Sequence, residues 1–242
     1  MKFIVLLTTF ILSSSLYLNA QFNSIKATYT FKSRFQGETV TFYKILLDDG
    51  LRSIFFDYDS TQNVYDKVQI VKKDAKKNKG FFYSKEENEG IYYAPIFGKD
   101  FYVKEDSLPT MLVWDFLTER KNILGYDCKA ATCYFRGRKY IAYYAESIPF
   151  HSGPWKFMGL PGLILEIGTD DQTFMYEAIK FAGLPDKVEI DRPYSKVDFV
   201  SWIDYKKLYL KKLADHQQKV KSEEKEADVD INIKDTSMEL LK

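Results

Sequence analysis

Ile25-Lys26-Ala27-Thr28-Tyr29-Thr30-Phe31-Lys32 decides the fold class. Ile25, Ala27, Tyr29 and Phe31 alternate with polar neighbours, and a period of two places the apolar set on one side of a half-buried strand. The pattern recurs downstream. Residues 39–47 and 51–58 flank Asp48-Asp49-Gly50, and an Asp-Gly pair between such runs signals a β-hairpin. Further strand-like runs fall at residues 68–71, 81–83, 91–93, 101–103, 111–118, 126–135, 140–145, 163–167 and 173–181. Turn clusters such as Glu89-Gly90, Glu105-Asp106-Ser107 and Arg136-Gly137-Arg138 separate them. Short strands at this spacing predict a mainly β fold: an antiparallel curved sheet, a sandwich or a partial barrel. Phe, Tyr and Trp supply 17% of the chain, a composition that suits pleated surfaces.

The pattern changes after Pro193. Ser195 with Asp198 resembles a helix start, and Val197, Val200, Trp202, Ile203, Leu208, Leu210 and Leu213 follow at roughly helical spacing. The reading is a C-terminal α-helix over 195–222, packed on or extending from a β-rich domain at 21–194, with a flexible charged tail at 223–242.

The first twenty residues read as a leader. Lys2 gives a positive start, residues 3–12 are apolar, and Ala20 is a small residue before Gln21, the three regions of a secretory signal peptide. Ten apolar residues are about half of what a bilayer-spanning helix needs. The mature chain is therefore expected to be periplasmic or secreted, without a transmembrane segment. Charge is balanced, with 35 basic against 34 acidic residues, which argues against a general nucleic-acid binder or a polybasic membrane-surface protein. The basic run at 72–79 reads as a solvated loop. Export allows a Cys128–Cys133 disulfide. A continuous strand would hold the two Cα atoms about 16 Å apart on opposite faces, so only a bulge would bring them within bonding range.

The most informative segment is Gly153-Pro154-Trp155-Lys156-Phe157-Met158-Gly159-Leu160-Pro161-Gly162-Leu163-Ile164. Leu160-Pro161-Gly162-Leu163 has the residues of a type II turn: proline presets the second position, and glycine accepts positive φ at the third. Trp155 and Phe157 would share one face of an extended approach. With Gly159-Leu160-Pro161-Gly162-Leu163-Ile164 intact, the chain resembles the GLPGLI family. The resemblance extends upstream through Ile123-Leu124-Gly125-Tyr126, Cys128-Lys129-Ala130 and Phe135-Arg136-Gly137-Arg138. It implies a secreted or periplasmic protein of Bacteroidota-type bacteria, in a family without an assigned biochemical function, and it brings no catalytic residues with it.

The chemistry read from the residues is sparse. Two cysteines and two distant histidines form no metal-ligand set, and no phosphate loop or dinucleotide fingerprint is present, so no cofactor or metal is expected. The favoured reading is an exported, non-catalytic binding or accessory protein of the cell envelope, whose partner is a peptide, a lipid or an envelope protein. Arg136 and Arg138 offer guanidinium forks for carboxylate or phosphate, and Trp155 and Phe157 offer an aromatic platform. The alternative is a secreted hydrolase using His151, flanked by Ser147 and Ser152, with Glu146 or Glu166 as orienting acids; no nucleophile elbow accompanies it.

Overall fold

A computed structural model describes residues 22–35, 38–57, 80–106, 108–194 and 197–223. The leader, the run at 68–71, the basic run at 72–79 and the tail beyond Glu223 lie outside the described residues. The strands are β1 (Ser24–Phe35), β2 (Glu38–Asp48), β3 (Arg52–Asp57), β4 (Phe81–Ser84), β5 (Glu89–Tyr93), β6 (Tyr102–Glu105), β7 (Asp115–Ile123), β8 (Tyr126–Phe135), β9 (Arg138–Ala145), β10 (Leu163–Thr169), β11 (Phe174–Leu184) and β12 (Phe199–Ser201). Two helices join them, α1 (Leu108–Met111) and α2 (Trp202–Glu223).

Among the described residues all twelve strands belong to one curved, unclosed sheet in the order β12-β6-β5-β4-β3-β2-β1-β11-β10-β9-β8-β7. Every pairing is antiparallel except that of β12 with β6. The first strand is thus central, between its hairpin partner β2 and the distant β11. Two turns are set by local chemistry. Leu124-Gly125 and Arg136-Gly137 are two-residue loops with positive φ throughout (53° and 86°; 46° and 82°), the type I′ geometry that matches strand twist. The strand expected at 111–118 is displaced: Met111 ends α1, and β7 begins at Asp115 and continues through the charged residues 119–122, with a register shift between Phe116 and Arg120.

The pairing register assigns each side chain to a face. Tyr29, Phe31, Leu46, Phe55, Phe81, Tyr92 and Tyr176 share one face, and Ile45, Leu47, Ile54, Phe56, Phe82 and Ile91 share the other. The second face is covered by Val188, Ile190 and Tyr194. Across the first face, Glu105 on β6 meets Arg136 of the β8–β9 turn, although eight strands separate β6 from β8 in the sheet. Contact between such distant strands makes this the concave face.

The helix start differs from expectation. Residues 199–201 pair with β6, and the helix begins after them. The sequence repeats Ser-x-x-Asp six residues on, and the second copy is the cap: Ser201 Oγ accepts the Asp204 N–H at 3.1 Å and donates to the Asp204 carboxylate at 2.7 Å. Trp202, Tyr205, Leu208 and Tyr209 then pack against Ala94, Ile96 and Val103.

Cys128 and Cys133 are both buried and unbridged. The β8–β9 register runs without a shift from Lys129 to Phe135, so no bulge draws the two together and they stay on opposite faces. Burial pushes the thiols up, Cys128 to about 11 and Cys133 to about 12.

Candidate functional site

The segment between β9 and β10 lies on the concave face and is held by its own backbone. Ile148 N–H donates to Ala145 O (3.1 Å), Leu163 N–H to Ile148 O (3.0 Å), Ile164 N–H to Ser152 O (3.0 Å) and Gly159 N–H to His151 O (2.8 Å). The expected type II turn at Leu160–Leu163 is not formed. Gly162 lacks positive φ, and its N–H donates to Leu160 O at 2.8 Å, a tighter three-residue turn about Pro161. Glycine is required there for another reason. A Cβ on Gly162 would lie 2.2 Å from Ala145 O and 2.8 Å from Glu146 N, so the close approach of two backbones demands the residue. Positive φ falls instead on Gly159 (89°), beside the Trp114 indole, whose N–H donates to Met158 O at 2.9 Å. It also falls on Trp155 (55°), an unusual conformation for a bulky side chain.

Beneath this segment sits a buried charge cluster. Lys156, read from alternation as the polar neighbour of two rings, is fully buried, and its Nζ lies 2.5 Å from Glu105 Oε1. Arg136 reaches the same carboxylate with both terminal nitrogens, at 2.5 and 3.3 Å. Aromatic faces complete the enclosure: Lys156 Nζ is 3.9 Å from the Tyr92 ring centre, and the Arg136 guanidinium is 3.6 Å from that of Trp202. Burial pushes the Glu105 carboxyl up, but Lys156 and Arg136 together outweigh it and hold it below the usual range.

Two cavities open on the same face. The larger, about 450 Å³, is a groove walled by Phe31, Phe42, Phe55, Phe81, Tyr92 and Tyr176, with Lys44 on its lining. Lys44 also pairs with Asp57. The smaller, about 110 Å³, lies toward the β2–β3 turn and is lined by Asp48, Tyr83, Ser152 and Phe157 among others. Of the residues lining the two, Trp155 alone belongs to both.

The sequence-derived site residues divide on these facts. Arg136 is committed to Glu105 and Phe157 is fully buried against Tyr140, so neither presents a free surface. Arg138 pairs with Asp171 at 3.4 Å and lies over Phe174. Trp155 is half-buried and reaches both cavities. His151 is exposed at the small pocket beside Ser152, but the buried Ser152 hydroxyl faces the Asp48 carboxyl and makes no hydrogen bond to His151, the contact a serine nucleophile needs with its base. Glu146 pairs with Lys129 and Glu166 with Lys121, away from His151. Asp48, Glu105 and Tyr176 escaped sequence reasoning. Asp48 stood out only as a turn residue, and it does cap its turn, accepting the Gly50 N–H at 2.7 Å. Among the described residues no cluster of His, Cys, Asp or Glu is arranged to hold a metal, and no helix is long and apolar enough to cross a membrane.

A family model described as a protein of unknown function, Porph_ging, matches residues 134–166. That stretch runs from the end of β8 through the Arg136-Gly137 turn and the whole β9–β10 segment to Glu166, and so contains Trp155, Lys156 and Gly162. No curated protein sequence matches the chain. Among solved structures, PNGF-II in two crystal forms aligns with TM-scores of 0.56 and 0.53 at 16% and 15% identity, over 78% of this chain. The chain spans about a third of the length of that protein, and the likeness is one of fold. A LolA superfamily protein from Nitrosomonas europaea aligns at a TM-score of 0.29 and 7% identity, over 68% of this chain and 87% of its own. A putative outer membrane lipoprotein-sorting protein domain from Vibrio parahaemolyticus aligns at 0.28 and 9%, over 78% and 92%.

Proposed function

We propose that the protein is a non-catalytic binding protein of the cell envelope, periplasmic or secreted, that holds an apolar ligand in the aromatic groove of its concave face. The groove itself carries this reading. Ten aromatic residues line a space of about 450 Å³, and Phe42 on its lip is 51% exposed. A concave, mostly apolar site with one cation is the form taken by sites for acyl chains and hydrophobic peptide segments. Arg136 and Phe157 act behind this surface as scaffold, and Trp155 acts on it. The hydrolase alternative has His151, Ser152 and Asp48 around one small pocket, but no hydrogen bond joins His151 to Ser152.

The test is a fluorescence titration of the full mature chain with 1-anilinonaphthalene-8-sulfonate, followed by displacement with palmitate. Saturable binding is expected, with displacement by palmitate and at least a tenfold loss of affinity in Phe42→Asp, equivalent to about 1.4 kcal/mol. His151→Ala should bind as the parent does. Absence of saturable binding, or a Phe42→Asp titration unchanged in a folded variant, would overturn the proposal.

A further inference from the structure

We infer that the occupant of the aromatic groove is a straight acyl chain ending in a carboxylate, with Lys44 as its head-group contact; the inference rests on the groove being the binding site. One charged side chain carries it. On the concave face β2 presents Val40, Phe42, Lys44 and Leu46, so a single lysine interrupts an apolar stripe. Ten of the residues lining the groove are aromatic, and Lys44 is the one charged residue among them. Its Nζ lies 5.9 Å from the centre of the Phe31 ring. Phe31 stacks in turn with Tyr176 at 4.6 Å, Phe174 at 6.1 Å and Phe42 at 6.3 Å. The ammonium group is thus set against the ring surface that an apolar chain would cover. Lys156, on the Tyr92 ring, is held behind the wall by Glu105 and offers no second charge. This arrangement fits an amphiphile whose tail lies on the rings and whose anionic head meets one cation.

Lys44 already has a partner, and that partner is exchangeable. The register sets Asp57, the last residue of β3, opposite Lys44, and the two form an ion pair. The Asp57 side chain keeps 60% of its surface in water, whereas that of Lys44 keeps 22%. Asp57 can therefore return to full hydration at little cost when a ligand carboxylate takes its place, since exposed ion pairs contribute little. The new pair, shielded by the bound chain, is stronger than the one it replaces. One cation balances one charge, which favours a carboxylate over a phosphate monoester, whose charge exceeds one. An extended peptide is the poorer occupant. Each of its residues brings a donor and an acceptor that a wall of rings leaves unpaired, whereas an acyl chain brings no polar group beyond its head.

The experiment is displacement of the uncharged fluorophore N-phenyl-1-naphthylamine from the full mature chain by dodecanoate and by dodecan-1-ol, two ligands with the same tail. Dodecanoate should act at a concentration at least about tenfold lower, the range of a charge-assisted contact. Lys44→Met, which keeps an unbranched apolar side chain, should cut that ratio to about twofold or less. Asp57→Asn removes the competing carboxylate and should tighten dodecanoate by about threefold, the scale of an exposed ion pair. Circular dichroism establishes that both variants are folded. Equal action of the two ligands on the parent, a ratio retained in Lys44→Met, or no gain for dodecanoate in Asp57→Asn would overturn the inference while leaving the groove reading in place. Dodecyl phosphate or the capped peptide acetyl-Val-Leu-Val-Leu-amide acting at a lower concentration than dodecanoate would also overturn it, by naming a different occupant. If neither dodecanoate nor dodecan-1-ol binds, the groove reading falls and the inference with it.

Discussion

Glu105→Gln should destabilise the protein far more than Lys156→Met, although the two residues form one ion pair. Glu105 is the acceptor shared by Arg136 and Lys156, and all three side chains are buried. Removing the carboxylate charge strands two cations in a low-dielectric site. Removing one partner of a buried pair costs about 3–5 kcal/mol. Removing Lys156 leaves the bidentate Arg136–Glu105 pair intact and sets an apolar chain among Tyr92, Trp155 and Trp202, so the expected cost is under about 1 kcal/mol. For a domain of this size each kcal/mol shifts Tm by about 2–4 °C. Glu105→Gln should therefore lower Tm by about 6–20 °C, and Lys156→Met by less than about 4 °C. Combining the two should recover part of the loss, because only one cation remains unpaired. Thermal scans and urea titrations followed by circular dichroism measure all three variants. Equal losses in the two single variants, or a Glu105→Gln shift below about 3 °C, would refute the shared-carboxylate argument.

Other expectations follow from the same geometry. Gly162→Ala should cost on the order of 3 kcal/mol in urea unfolding, because its Cβ meets the Ala145 backbone, whereas Gly159→Ala should cost only about 1–2 kcal/mol through its positive φ. Trp155→Ala should weaken palmitate binding, being part of the groove wall, as the displacement titration would show. Intact mass under denaturation should report two free thiols that react with Ellman's reagent only after unfolding. Stability should fall as pH rises past 9: the folded thiols keep their protons to about 11 and 12, while the unfolded thiols lose theirs near 9, so deprotonation favours the unfolded chain. Glu105 acts at the other end of the scale, since its lowered value adds stability that is lost as pH drops from about 4.5 through the folded value, and urea midpoints across pH would trace both limbs.

The β architecture was legible because it rests on local rules: alternation in Ile25–Lys32, an Asp-Gly hairpin, and a glycine turn at Arg136-Gly137. The helix start was legible in kind but not in place. Two Ser-x-x-Asp copies look alike until β6 claims Phe199–Ser201 as a strand partner. Gly162 was marked as special for the wrong reason, since a backbone 2.2 Å from a notional Cβ belongs to tertiary packing and leaves no local trace. The site was the least legible. Lys156 between two aromatic residues reads as a solvated lysine, and nothing in its neighbourhood announces Glu105, 51 residues earlier. Arg136 drew notice as a recognition residue because arginine in a turn is free in sequence terms, whereas curvature of the sheet brings a carboxylate to it. Asp48 was hidden behind its own turn role.

The central position of β1 has a consequence for assembly. Its neighbour β2 follows within a few residues, but its other neighbour, β11, lies about 150 residues later, with Ser24 opposite Leu184 and Phe31 opposite Tyr176. A chain delivered amino-end first can build β1 through β6 as a local meander, yet one long side of its first strand stays unpaired until nearly the whole domain has emerged. Such late pairing of distant segments slows folding and exposes a sticky edge meanwhile. Joining the two meanders along β1 is thus the long-range step in completing the sheet, and until it occurs the open edge of β1 offers a place for another copy to pair.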